Sequence, residues 1–85
     1  MPSYLIEGYL PRSRATELTE SVARLRAAAE ALTAQGTLVR HVRSSFLPGE
    51  EQFLHVLEAE SAQAAGHATE RAGIAPERIT EEVPQ

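Results

Sequence analysis

Thr37 to Ala59 reads TLVRHVRSSFL, then PGEE, then QFLHVLEA. Two runs rich in Val, Leu and Phe flank a Pro48-Gly49 turn signal, which predicts two antiparallel strands, Thr37–Leu47 and Gln52–Ala59. The hairpin carries two of the three histidines, His41 and His55.

Reading outward, Ser3–Leu10 (SYLIEGYL) predicts a first strand, closed by Pro11, which cannot donate to a ladder. Leu18, Val22, Leu25, Ala29 and Leu32 form one apolar stripe at helical spacing. That helix is expected to start at a Thr16 N-cap, with Glu17 and Glu20 in its first turn, and to end near Gln35 before Gly36 as C′ residue. After the hairpin, Glu60 or Ser61 is expected to cap a second helix. It runs to about Ala72, with Ala62, Ala65, Ala68 and Ala72 or close neighbours inward and Gly73 at its end. Arg78–Val83 predicts a last strand before Pro84.

The order βαββαβ is the split βαβ pattern. The expected product is one α+β domain over residues 1–85: a ferredoxin-like, four-stranded antiparallel sheet with two helices on one face. Right-handed crossovers are expected to set the first and third strands side by side at the centre, that pair running parallel.

Eighty-five residues give a thin core, and only Tyr4, Tyr9, Phe46 and Phe53 are aromatic. Such a core often gains stability from a partner, so a homodimer is expected. A formal charge of −4, with eight scattered arginines and no basic patch, argues against nucleic acid. No apolar run approaches a membrane span, and MPSYLIEG lacks the basic start of a signal peptide, so a cytoplasmic location is the default expectation. The chain has no Lys, Asp, Asn, Trp or Cys. Schiff-base and P-loop lysines, aspartate dyads, thiolate nucleophiles and disulfides are thereby excluded.

Period-two alternation assigns Tyr4, Ile6 and Leu10, then Leu38, Val42 and Phe46, then Leu54 and Val56, to the helix-covered face. The bare face then displays Glu7, Tyr9, His41, Arg43, Phe53 and His55 among Leu5, Ser45 and Leu57. Imidazoles, a guanidinium and a carboxylate among apolar groups suit a ligand site or a dimer interface. The assignment holds only for an odd hairpin loop; a two- or four-residue loop turns one strand over.

The chain resembles a family of small bacterial ferredoxin-like domains of unknown function whose members include a nickel-binding protein. The resemblance spans nearly the whole chain. It rests on PSYLIEG, Val42-Arg43-Ser44, FLHVLEA and the run HATERAGIAPERITEEV from His67. It implies a dimeric α+β domain and no established reaction. The family's Val-His-Ser on the second strand is Val42-Arg43-Ser44 here, with His41 close by as a substitute ligand.

Three functional readings follow. A dimeric binding protein would hold a small ligand, or nickel or another divalent transition metal, on the bare face. The metal ligands would be His41 and His55, with Glu7 adding a carboxylate and His67 a further candidate. A cofactor-independent enzyme of the monooxygenase or cyclase kind would use His55 or His41 as general base. An assembly-only domain would use that face for contact alone. Arg43 opposes a neighbouring cation and favours an anion or an ion pair with Glu7. No reaction is legible from the residues themselves.

Overall fold

The computed structural model describes residues 1–85. Its elements are β1 (Ser3–Tyr9), a 3-10 turn (Arg12–Arg14), α1 (Glu17–Ala34), β2 (Val39–Leu47), β3 (Gln52–Ala59), α2 (Ala62–Arg71) and β4 (Arg78–Glu82). The sheet order is β2-β3-β1-β4, with both helices on one side, which is the ferredoxin-like α+β fold. Every neighbouring pair is antiparallel. The expectation of a parallel β1–β3 pair is therefore corrected. The α1 crossover returns the chain parallel to β1, and the hairpin reverses it once more before β3 inserts between them.

Both helices stop where a glycine supplies positive φ. Gly36 (φ 97°) and Gly73 (φ 72°) each sit one residue past the helical cap. Thr37 N donates to Leu32 O and Ile74 N to Thr69 O, the paired closure of a Schellman motif. At the other end of α2, Ser61 Oγ accepts from Ala64 N at 3.0 Å, so Ser61 rather than Glu60 is the cap. Thr16 occupies the N-cap of α1 without a side-chain bond, because the preceding 3-10 turn already holds it in helical φ/ψ.

The core joins Tyr4, Ile6, Leu25, Val39, Phe53 and Leu57 to a floor of alanines. Ala64, Ala65, Ala68 and Ala72 are buried on α2, together with Thr69, whereas Ala62 is exposed. Small side chains bring α2 close to the sheet but bury little area each. One close approach is absolute. A Cβ on Gly8 would lie 2.5 Å from two Phe53 ring atoms, so the ring lies directly against the β1 backbone.

Two local features set the sheet faces, and both correct the alternation read from sequence. The hairpin pairs Leu47 with Gln52, leaving the even loop Pro48–Glu51. Phe46 and Phe53 are opposite one another, so β3 turns Phe53, His55, Leu57 and Ala59 toward the helices instead of Leu54 and Val56. Within β2 the register shifts between His41 and Arg43, with Val42 as the extra residue. Val39 and His41 face the helices before the bulge, Ser44 and Phe46 after it, while Leu38 and Val42 are exposed. The loop is tied back by Glu51, at φ 48°, whose carboxylate accepts from Arg12 N at 2.9 Å.

Candidate functional site

The expected bare-face constellation does not form. Ladder pairing sorts the strand residues into rows that cross the sheet. On the face without helices one row is Arg40, Glu58, Ser3 and Glu82; the next is Arg43, Val56, Leu5 and Thr80; the third is Ser45, Leu54, Glu7 and Arg78. Glu7 and Arg43 lie there as expected. His41, Phe53 and His55 lie on the opposite face, under α1. Nor does Arg43 meet Glu7: β3 stands between their strands, and Glu7 instead accepts from Arg78 Nη2 at 2.7 Å and from Gln52 Nε2 at 3.3 Å.

What the fold does bring together is a line of polar side chains across the gap between α1 and the sheet. Arg26 Nε, on α1, donates to His41 Nδ1 at 3.3 Å. His41 Nε2 lies 2.8 Å from Ser44 Oγ, and that hydroxyl lies 2.6 Å from His55 Nδ1. The bulge makes this possible. It sets His41 and Ser44 on one side of the sheet although their numbers differ by an odd count.

His55 is the buried end of the line, 1% exposed. Its ring is tilted against Phe53, with centroids 5.2 Å apart. Burial, and then the neighbouring His41, push its pKa down from 6.5 to about 4. Burial and Arg26 lower that of His41. Both imidazoles are therefore neutral near pH 7.

The second His55 nitrogen, Nε2, takes no partner from the chain and is not sealed from solvent. The ring lines a cleft of about 210 Å³ with Leu10, Leu18, Phe53 and Ile74 as its apolar walls. The rim is polar and already braced. Arg14 is paired in bidentate fashion with Glu17, and Arg24 donates to Ala72 O and Ser21 Oγ. Two expected ligand-site residues, Phe53 and His55, thus meet at one cleft on the helix side, while Tyr9, 60% exposed, keeps the bare-face parity of Glu7 and only borders the cleft.

A larger concavity of about 680 Å³ lies between α1 and the start of β2, bordered by Arg26, Ala29, Leu38, Val39 and His41. The exposed side chains of Met1 and Leu38 stand at its border. Its polar groups Arg26 and His41 already bond each other. The smaller cleft is the stronger candidate, because the imidazole that lines it, 1% exposed, keeps one nitrogen without a partner in the chain.

No three His, Cys, Asp or Glu side chains stand together as a metal cage. His67 is exposed on α2, away from the other two histidines. His41 and His55 are joined through Ser44, and no third histidine or carboxylate stands with them.

Ser44 and Arg26 were not singled out by sequence. The count of four residues in Pro48–Glu51, with Phe46 placed inward, was the available signal for the face of His55. Nothing local marked Arg26.

No protein-family model, curated protein or solved structure matches the chain. No helix is long and apolar enough to cross a membrane.

Proposed function

We propose that this chain is a small-molecule-binding protein whose ligand enters the cleft over His55. The observation that carries the reading is the buried imidazole itself, held by Ser44 at Nδ1 and unpartnered at Nε2, in a ring that lines the cleft. Apolar side chains with a few oriented polar groups, here His55 and the braced Arg14, Glu17, Ser21 and Arg24, are the make-up of a ligand pocket. At about 210 Å³ the cleft is below the ~300–1,000 Å³ typical of such sites, so the ligand, or the part of it that enters, is small. A cytoplasmic setting belongs to the same reading. The test is NMR titration with a library of small organic fragments, following the His55 ring. Binders should shift that ring and be lost in His55→Phe, which keeps the bulk. Binders that leave the ring unmoved would overturn the reading.

The bare face suits a second copy of the chain. Leu5, Leu54 and Val56 form its apolar middle, and charged residues surround them. Arg43 near the β2 edge and Glu82 at the β4 edge have no ion-pair partner. A twofold axis parallel to the strands lays β2 over the β4 of a second copy. That sets each Arg43 over the Thr80 of the second copy and each Arg40 over its Glu82, with Val56 above Leu5.

A further inference from the structure

We propose that Arg26, from outside the cleft, holds His55 in the tautomer that presents an N–H to the ligand, so that the ligand class is one carrying a hydrogen-bond acceptor such as a carbonyl or carboxylate. The ligand class rests on the cleft reading above; the role of Arg26 does not.

The argument is one of donor bookkeeping along the line of side chains. A guanidinium can only donate. His41 Nδ1, 3.3 Å from Arg26 Nε, must therefore accept. A neutral imidazole carries one proton, so His41 has it on Nε2 and donates it to Ser44 Oγ, 2.8 Å away. The Ser44 hydroxyl accepts there, and His55 Nδ1, 2.6 Å away, is its one other partner in the chain, so the hydroxyl hydrogen is assigned to that nitrogen. His55 then accepts at Nδ1, and its single proton is on Nε2, the nitrogen left unpartnered beside the cleft.

Arg26 fixes the sense of the bonds as far as Ser44, and the Ser44 hydrogen, with no other acceptor in the chain, carries that order to the buried imidazole. A general base at His55 would need Nε2 bare and Nδ1–H donating to the second lone pair of Ser44 Oγ, which leaves the Ser44 hydrogen with no acceptor in the chain. The arrangement thus favours a ring that grips an acceptor over one that removes a proton from the ligand. A ligand presenting only an N–H at that point would meet another donor and leave both unpaired at His55.

The experiment is long-range ¹H–¹⁵N NMR of the histidine rings in the intact chain, at a pH well above the imidazole range. In the wild type, His55 is expected with Nδ1 bare and Nε2 protonated. Arg26→Glu replaces an obligate donor with an acceptor, and the whole line is expected to reverse, moving the His55 proton to Nδ1. Loss of packing alone would not produce that switch. Two five-membered-ring probes then test the ligand class: cyclopentanone, an acceptor, and pyrrole, an N–H donor. Wild type should bind cyclopentanone at least tenfold more tightly, and Arg26→Glu should narrow or invert the ratio. A wild-type His55 protonated on Nδ1, or a tautomer unmoved by Arg26→Glu, overturns the role of Arg26. The expected tautomers with pyrrole bound as well as cyclopentanone overturn the ligand class alone. The expected tautomers with neither probe bound overturn the cleft reading and the ligand class together, and leave the role of Arg26 established.

Discussion

Ser44 Oγ lies 2.6 Å from His55 Nδ1, and that contact joins the edge strand to the buried centre of the sheet. Ser44→Ala removes the only partner of a nitrogen on a side chain 1% exposed. The expected loss is about 1–3 kcal/mol of unfolding free energy, the cost of stranding a buried polar atom. Urea denaturation of Ser44→Ala and of Ser44→Ala/His55→Phe checks it. The double variant should lose less than the two single losses added together.

Stability should depend on pH through His55. The folded chain keeps this imidazole neutral down to about pH 4, whereas its ordinary value is 6.5. Between those values the unfolded state binds more protons, so stability rises with pH across that window. The contribution is complete above pH 6.5 and is lost as pH falls through about 4. The gap corresponds to about 3 kcal/mol. His55→Phe should flatten the pH profile of unfolding free energy between these limits. A wild-type profile that parallels the variant's would show the imidazole to be ordinary.

Gly8→Ala should destabilise the chain without any backbone strain. The new methyl would meet two Phe53 ring atoms at 2.5 Å. Overpacking of this kind costs about 1–3 kcal/mol. Phe53→Leu should recover part of that loss in the Gly8→Ala background, although alone it is destabilising. Thermal unfolding of the four variants in a cycle measures the coupling.

At the hairpin, Glu51 combines a positive φ of 48° with a carboxylate that accepts from Arg12 N. Glu51→Ala keeps the strained backbone and discards the hydrogen bond, and should cost about 1 kcal/mol. Glu51→Gly discards the same bond but relieves the backbone, and should cost less. Equal losses in chemical denaturation would show that the left-handed conformation carries no penalty there.

On the bare face, Leu54→Arg places a cation in the apolar middle of the proposed contact between copies. Sedimentation equilibrium should find wild type as a dimer and Leu54→Arg as a monomer with unchanged circular dichroism. A monomeric wild type at high concentration would remove the second copy from the account.

Much of the fold was legible because its signals are local. The stripe from Leu18 to Leu32, the glycines at 36 and 73, the Ser61 cap and the Pro48-Gly49 turn all act within a few residues of themselves. The site was not legible, because it depends on which side of a strand a residue faces. That side reverses with a single residue of slip. The even loop Pro48–Glu51 turned His55 under α1, and the Val42 bulge turned His41 to join it while leaving Arg43 outside.

The order of helices and strands, their caps and the excluded chemistries were thus properties of the sequence alone, since hydrophobic period and turn residues act at short range. Tertiary structure alone decided that Arg26, His41, Ser44 and His55 form one hydrogen-bonded line. Those contacts need a helix, an edge strand and an interior strand placed to within a hydrogen bond of one another. Only the packing of α1 across the bulged β2 sets that distance.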